Sequence, residues 1–188
     1  FYNHPDYIRV LSQSIQEGLK DKKWEYLLFS YHGVPERHIR KSDITKSHCK
    51  IDKSCCQTTS EAHQFCYRHQ CYETTRQVAD YLELKEGTYS TSFQSRLGVD
   101  PWLQPYTDQT VARFAKKGIK NMAIVTPAFV SDCLETLEEI GMEAAEDFEE
   151  KGGEELHVIP CINTRTDWVN VMSRWIDQWA KAETATSA

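Results

Sequence analysis

No apolar run in this 188-residue sequence approaches the ~18 residues a membrane-spanning helix requires; the stretch at residues 26–29 is among the longest. Basic charge is not in excess either, with 22 Lys and Arg against 28 Asp and Glu and a formal net charge of −6. General nucleic-acid binders and proteins held to anionic membranes by charge need a basic surface to displace counterions, so both classes are disfavoured, although a local basic patch is not. The chain opens on Phe1 instead of an initiator methionine, and the charged, apolar, small-residue order of a signal peptide is missing. We therefore read it as a fragment or a processed chain. Internal repeats and low-complexity tracts are absent, and glycine and proline are sparse, at 8 and 6. What is present is one domain's length of chain, 40% hydrophobic, enough to bury a core.

The periodicity predicts a helix over residues 5–19, where Pro5 suits a first helical position and Ile8, Leu11, Ile15 and Leu19 recur at helical spacing. Short apolar runs at residues 26–29, 88–93, 122–126 and 156–159 lack alternation, as strands buried on both faces of a parallel sheet do. Helical patterns follow at 72–84, 107–117, 132–150 and 168–180, with Gly87, Gly118 and Gly152-Gly153 shortly before the next strand. Strand and helix in alternation predict a single α/β domain over residues 1–188: three layers, with a mainly parallel four-stranded sheet flanked by helices. Active crevices in such sheets lie beyond the carboxyl ends of the strands, which directs attention to His32-Gly33, Gln94-Ser95, residues 127–132 and residues 161–164.

His32 follows a strand and precedes Gly33, and imidazole can accept a proton near neutral pH. Taken alone, a histidine there is more often structural. Asp132, Glu135 and Glu139 open the third of these helices, with Glu135 and Glu139 four apart and hence on one α-helical face, able to pass a cation or proton along. Acidic residues also favour a helix's first turn for electrostatic reasons, and Glu138, Glu143 and Glu146 are read as that solvated kind. Trp102, between Pro101 and Pro105, is either a flat wall for an aromatic ligand or a plug at the core's edge. The segment from 35 to 70 shows no period, and a cysteine-rich stretch at about 41–71 within it holds Cys49, Cys55, Cys56, Cys66 and Cys71. Their spacing, C-x5-C-C-x9-C-x4-C, has no CxxC pair, which disfavours a zinc ribbon; disulfides remain the alternative to a metal site. Cys133 and Cys161 fall in apolar stretches and read as buried small hydrophobes.

Ser30-Tyr31-His32-Gly33-Val34-Pro35-Glu36-Arg37 resembles the SxHGxPxR segment of ferrochelatases, the enzymes that insert ferrous iron into a porphyrin. Phe93-Gln94-Ser95-Arg96, the Pro101-to-Pro105 stretch with Thr107-Asp108, and Ser131 to Glu139 resemble that family's FQSR, PWLxPxTD and SDxxETLxE motifs. With FQSR and PWLxPxTD taken as one stretch, three ordered motifs across nearly the whole chain make the resemblance specific. It implies that His32 and Glu135 are catalytic on opposite faces of the macrocycle, and that Asp132 and Glu139 join them in metal or proton passage. It also implies that Gln94, Ser95 and Trp102 lie near the porphyrin. Whether the imidazole takes pyrrole protons or meets the incoming metal stays open, and Cys133 stands where some members carry a histidine.

The resemblance covers only the carboxyl-terminal half of a two-half enzyme, so the amino-terminal half is expected as a partner, with porphyrin and ferrous iron as substrates and no organic cofactor. Some members bind a [2Fe-2S] cluster through an insertion at this place. Four of Cys49, Cys55, Cys56, Cys66 and Cys71 are expected to do so here, with Cys55 and Cys56 the ambiguous pair. A cytoplasmic location, with peripheral contact to the inner membrane allowed, goes with this reading. The alternatives are a non-catalytic iron-sulfur sensing module on the same fold and a related cobalt chelatase.

Overall fold

A computed structural model describes residues 1–50, 52 and 54–186, with side chains through residue 182. Its four-stranded sheet is parallel throughout, in the order β2-β1-β3-β4. The strands are β1 (Tyr26–His32), β2 (Tyr89–Gln94), β3 (Asn121–Val125) and β4 (Glu155–Val158). Helices α1 (Pro5–Gly18), α2 (Glu36–Ser42), α3 (Tyr67–Tyr81), α4 (Thr107–Lys116), α5 (Ala144–Glu150) and α6 (Thr166–Thr186) surround it, and a π-helix, Glu135–Glu143, runs directly into α5.

The central strand explains why the layers form. Leu27, Phe29 and Tyr31 join a core with Val10 and Ile15 of α1, Val78 of α3 and Val171 of α6. Tyr26 and Leu28 point the other way, into a second core with Val111 of α4, Ile140 of the π-helix and Phe148 of α5. Leu27, Leu28 and Phe29 are all fully buried, the two-sided burial that a run without alternation requires. The sheet therefore has α1, α3 and α6 on one face and α4, the π-helix and α5 on the other, as the alternating pattern predicted.

Two elements depart from the periodicity. α3 begins at Tyr67, five residues before its apolar pattern at residue 72, because Cys66 ends the preceding 3-10 turn and its carbonyl accepts the first α3 hydrogen bond, from Gln70 at 3.0 Å. The segment expected as one α-helix over 132–150 instead starts beyond Asp132 and opens as a π-helix. The supposed α-helical stack of Glu135 on Glu139 is thus replaced by a wider winding, a form frequently found at functional sites. Among the described residues of the aperiodic 35–70 stretch are α2 and two short 3-10 turns, Ser54–Gln57 and Glu61–Phe65.

Candidate active site

β1 has β2 on one side and β3 on the other, so the chain reverses its direction of sheet growth at β1, and the crevice opens at the carboxyl end of that strand. His32 is the last residue of β1 and is half-buried there. Its Nδ1 lies 2.6 Å from the carbonyl oxygen of Gly33, which can only accept, so Nδ1 carries the proton. In that tautomer Nε2 is the nitrogen with the free lone pair. The ring sits between Trp102 and Phe129, with centroid separations of 6.4 and 6.1 Å. Gly33 permits this packing: a Cβ there would approach the carbonyl oxygens of Gln94 and Ser95 to 3.0 Å and the Trp102 ring to 3.3 Å.

Opposite the strand ends lies a groove of about 600 Å³, lined by Gln94, Ser95, Arg96 and Asp108 on one side and by Glu135, Glu138, Glu139 and Glu143 of the π-helix on the other. The Glu135 carboxyl is held below the ordinary carboxylate range by a hydrogen bond from the Cys133 side chain, by its own backbone N–H and, when the imidazole is protonated, by the charge of His32. Glu139 accepts a 2.6 Å hydrogen bond from Ser95, which adopts a left-handed backbone conformation (φ 57°). Glu138, Glu143 and Glu146 are all exposed, as the solvated reading has them, although Glu138 and Glu143 also border this open groove and Glu146 does not.

Other candidates have structural duties. Asp132 is tied into its own loop, its carboxylate accepting from Asn163 Nδ2 at 2.6 Å, the Cys161 N–H at 3.1 Å and Thr136 at 3.2 Å. Burial pushes its pKa up, but these hydrogen bonds outweigh it and hold the carboxyl below its ordinary value. Gln94 is buried, accepting from Ser30 at 2.8 Å and reaching the Glu135 carbonyl at 3.4 Å, so it braces the site from behind. Trp102 donates its indole N–H to Leu97 at 2.9 Å and turns its ring toward His32. Phe129 and Asn163 were not singled out from the sequence, although both fall in the strand-end loops that the sheet topology flags.

All seven cysteines are free thiols. Cys49, Cys55, Cys56 and Cys66 line one small cavity together with Asp43, His48 and His63. Cys71 does not line that cavity; it is buried in the main core beside Tyr67. Cys55 Sγ accepts from the Lys50 N–H at 3.2 Å and from the Arg68 guanidinium at 3.1 Å. Asp43 orders the loop by accepting from Thr45 at 2.9 and 2.7 Å and from the Cys49 N–H at 2.8 Å, and these bonds lower its carboxyl pKa to about 2. Among the described residues, no three His, Cys, Asp or Glu side chains are gathered closely enough to chelate a single ion.

Residues 1–180 match the Ferrochelatase family. The ferrochelatase of Pseudomonas syringae pv. syringae is 43% identical over 174 residues, covering 93% of this chain and 51% of that protein. Those of Opitutus terrae and Legionella pneumophila subsp. pneumophila are 43% and 44% identical over 182 and 181 residues, covering 97% and 95% of this chain and 52% of each relative. The chain thus spans about half the length of the curated relatives it matches. With its motifs, its parallel sheet and a strand-end histidine facing a π-helix carboxylate all in one frame, this chain belongs to the ferrochelatase family.

Proposed function

We propose that this chain carries the reactive face of an enzyme that inserts ferrous iron into a porphyrin in haem biosynthesis. The observation that carries the reading is the placement of His32, whose Nδ1–H is held by the Gly33 carbonyl, within the electrostatic reach of Glu135, a carboxylate that lines an acidic groove. Insertion needs two pyrrole protons to leave as Fe2+ enters, and the ion to shed its water. Nε2 of His32 is a lone pair poised to accept a pyrrole proton. Carboxylates of Glu135 and Glu139 are hard oxygen ligands that hold Fe2+ and release it readily. Trp102 and Phe129 beside His32 offer flat apolar surface against the macrocycle. The other wall of the porphyrin cleft, on this proposal, comes from the part of the protein that this chain does not include.

The cysteine segment fits a [2Fe-2S] cluster as far as its donor set goes. Four thiols share one cavity, and the Lys50 N–H and the Arg68 guanidinium are placed to offset thiolate charge at Cys55. Cys49, Cys55, Cys56 and Cys66 would hold it, and it would supply a covalent cross-link and a redox-active centre to the segment. We assign no step of iron insertion to it. We also propose a cytoplasmic location with peripheral contact to the inner membrane, a reading that comes from the family resemblance alone. Among the described residues no helix is long and apolar enough to cross a membrane.

The test is anaerobic assay of the full-length protein with ferrous iron and protoporphyrin or coproporphyrin, turnover and porphyrin binding being measured separately. His32→Ala and Glu135→Gln should each abolish insertion while porphyrin still binds. Wild-type turnover in either variant overturns the assignment, and an inert wild-type protein with an intact chromophore favours the sensing module.

A further inference from the structure

The β3 ladder along β1 stops at Phe29–Val125, whereas the β2 ladder continues to His32–Gln94. The last residues of β1 are therefore secured by strand pairing on one edge only. The Gly33 N–H turns to that edge, donating to Gln94 O at 2.7 Å. The His32 carbonyl needs a partner from elsewhere, and it receives a 2.8 Å hydrogen bond from the phenol of Tyr67, a residue 35 positions away. A carbonyl shielded from water and left without a donor is costly, so the bond fixes where β1 ends.

Resting on the chelatase reading above, we infer that Tyr67 is a positioning residue for His32 and the joint through which the cysteine segment acts on it. Tyr67 is the first residue of α3, and Cys66 immediately before it is the N-cap. The Cys66 side chain makes no capping bond and lines the thiol cavity, while its backbone starts the helix through Gln70. Any rearrangement of Cys66 accordingly turns the first residue of α3, and with it the phenol. Burial, reinforced by nearby Cys71, keeps that phenol protonated and able to donate well above neutral pH. Further along the helix, the Tyr31 phenol meets Thr75 at 2.9 Å, so α3 grips β1 twice, but only Tyr67 reaches the backbone of the reactive residue.

The experiment uses the full-length protein and compares Tyr67→Phe, Tyr31→Phe, Cys66→Ser and His32→Ala. Tyr67→Phe is expected to lower kcat about tenfold with little change in porphyrin KM, a loss of alignment more than of binding. Tyr31→Phe removes a comparable buried phenol bond from the same helix and should lower the Tm similarly while keeping kcat. Equal rate losses in the two variants, or wild-type kcat in Tyr67→Phe, overturn the positioning role. Independent of turnover, 15N-labelled histidine gives a His32 imidazole resonance, assigned by its disappearance in His32→Ala. It should shift in Tyr67→Phe, and it should shift in Cys66→Ser only while Tyr67 is present. An unmoved resonance in Tyr67→Phe, no shift in Cys66→Ser, or an equal Cys66→Ser shift with and without Tyr67, overturns the inference. Full turnover by His32→Ala sinks the chelatase role of His32 instead, and the resonance still reads the Tyr67 contact.

Discussion

Ser95 Oγ donates a 2.6 Å hydrogen bond to Glu139 Oε2, joining the loop after β2 to the π-helix across 44 residues of chain. The bond settles which rotamer Glu139 presents to the groove. In Ser95→Ala, Glu139 loses its charge-assisted donor and swings free. We expect iron insertion by the full-length protein to slow while the stability falls by only about 1 kcal/mol, since both groups are partly solvated. Stopped-flow insertion rates and urea unfolding check the two halves of this expectation. A large stability loss with an unchanged rate would show that the bond serves the fold alone.

Gly33→Ala should damage the site from its floor. The new Cβ would meet two backbone carbonyls, which cannot move without breaking the β1–β2 end pairing, as well as the Trp102 ring. The expected cost is about 1–3 kcal/mol of overpacking strain. Differential scanning calorimetry reads the loss, and Trp102 fluorescence should shift as the indole is displaced from His32. An unchanged Tm and emission maximum would mean that the strand end yields more easily than its contacts indicate.

The strand pattern was legible because the central strands are apolar on both sides, a signal that survives without alternation, and residues 26–29 show it fully. His32, Glu135 and Glu139 were legible through the strand-end rule and the motifs around them. The π-helix was not, because its local sequence has the composition of an α-helix and its wider winding depends on packing, so it was not foreseen that the exposed Glu138 and Glu143 also border the groove. Asp132 was placed among the metal-passing carboxylates because it shares the motif with Glu135, whereas its partners Asn163 and Cys161 lie some 30 residues away and no local pattern announces them. Tyr67 was hidden for the same reason, since its bond to His32 crosses the whole cysteine segment.

Asp132→Asn should act on stability. The carboxylate accepts from Asn163 and from the Cys161 N–H; an amide offers one acceptor only and sets its own N–H₂ against a donor. A loss of about 1–3 kcal/mol is expected at pH 7. Because the folded-state pKa is lowered from 3.8, this stabilisation is present above about pH 4 and is lost as the pH falls through the lower folded value. Wild type and Asp132→Asn should therefore converge in urea unfolding as the pH falls through that lowered value. A constant gap between them down to that pH would remove the charged hydrogen-bond set as the cause.

Cysteine replacement separates the ligating from the packing thiols. Cys49, Cys55, Cys56 and Cys66 share a cavity with Asp43 and two histidines, whereas Cys71 is enclosed by the main core, where burial drives its pKa far up and keeps it a neutral thiol. Burial also raises the Cys56 thiol to about 11, against the pull of Arg68, so it ionises at neutral pH only when a metal takes the proton's place. Anaerobically purified full-length protein should be red-brown, with about two irons and two sulfides per chain. Single Ser replacements at Cys49, Cys55, Cys56 and Cys66 should each bleach it, and Cys71→Ser should keep the colour while lowering the Tm through a polar group buried in the core. Visible absorption and iron analysis decide the matter. Bleaching by Cys71→Ser but not by Cys55→Ser or Cys56→Ser would return the ligand set to one that includes the core thiol, and colourless protein with stoichiometric zinc would replace the cluster by a mononuclear site.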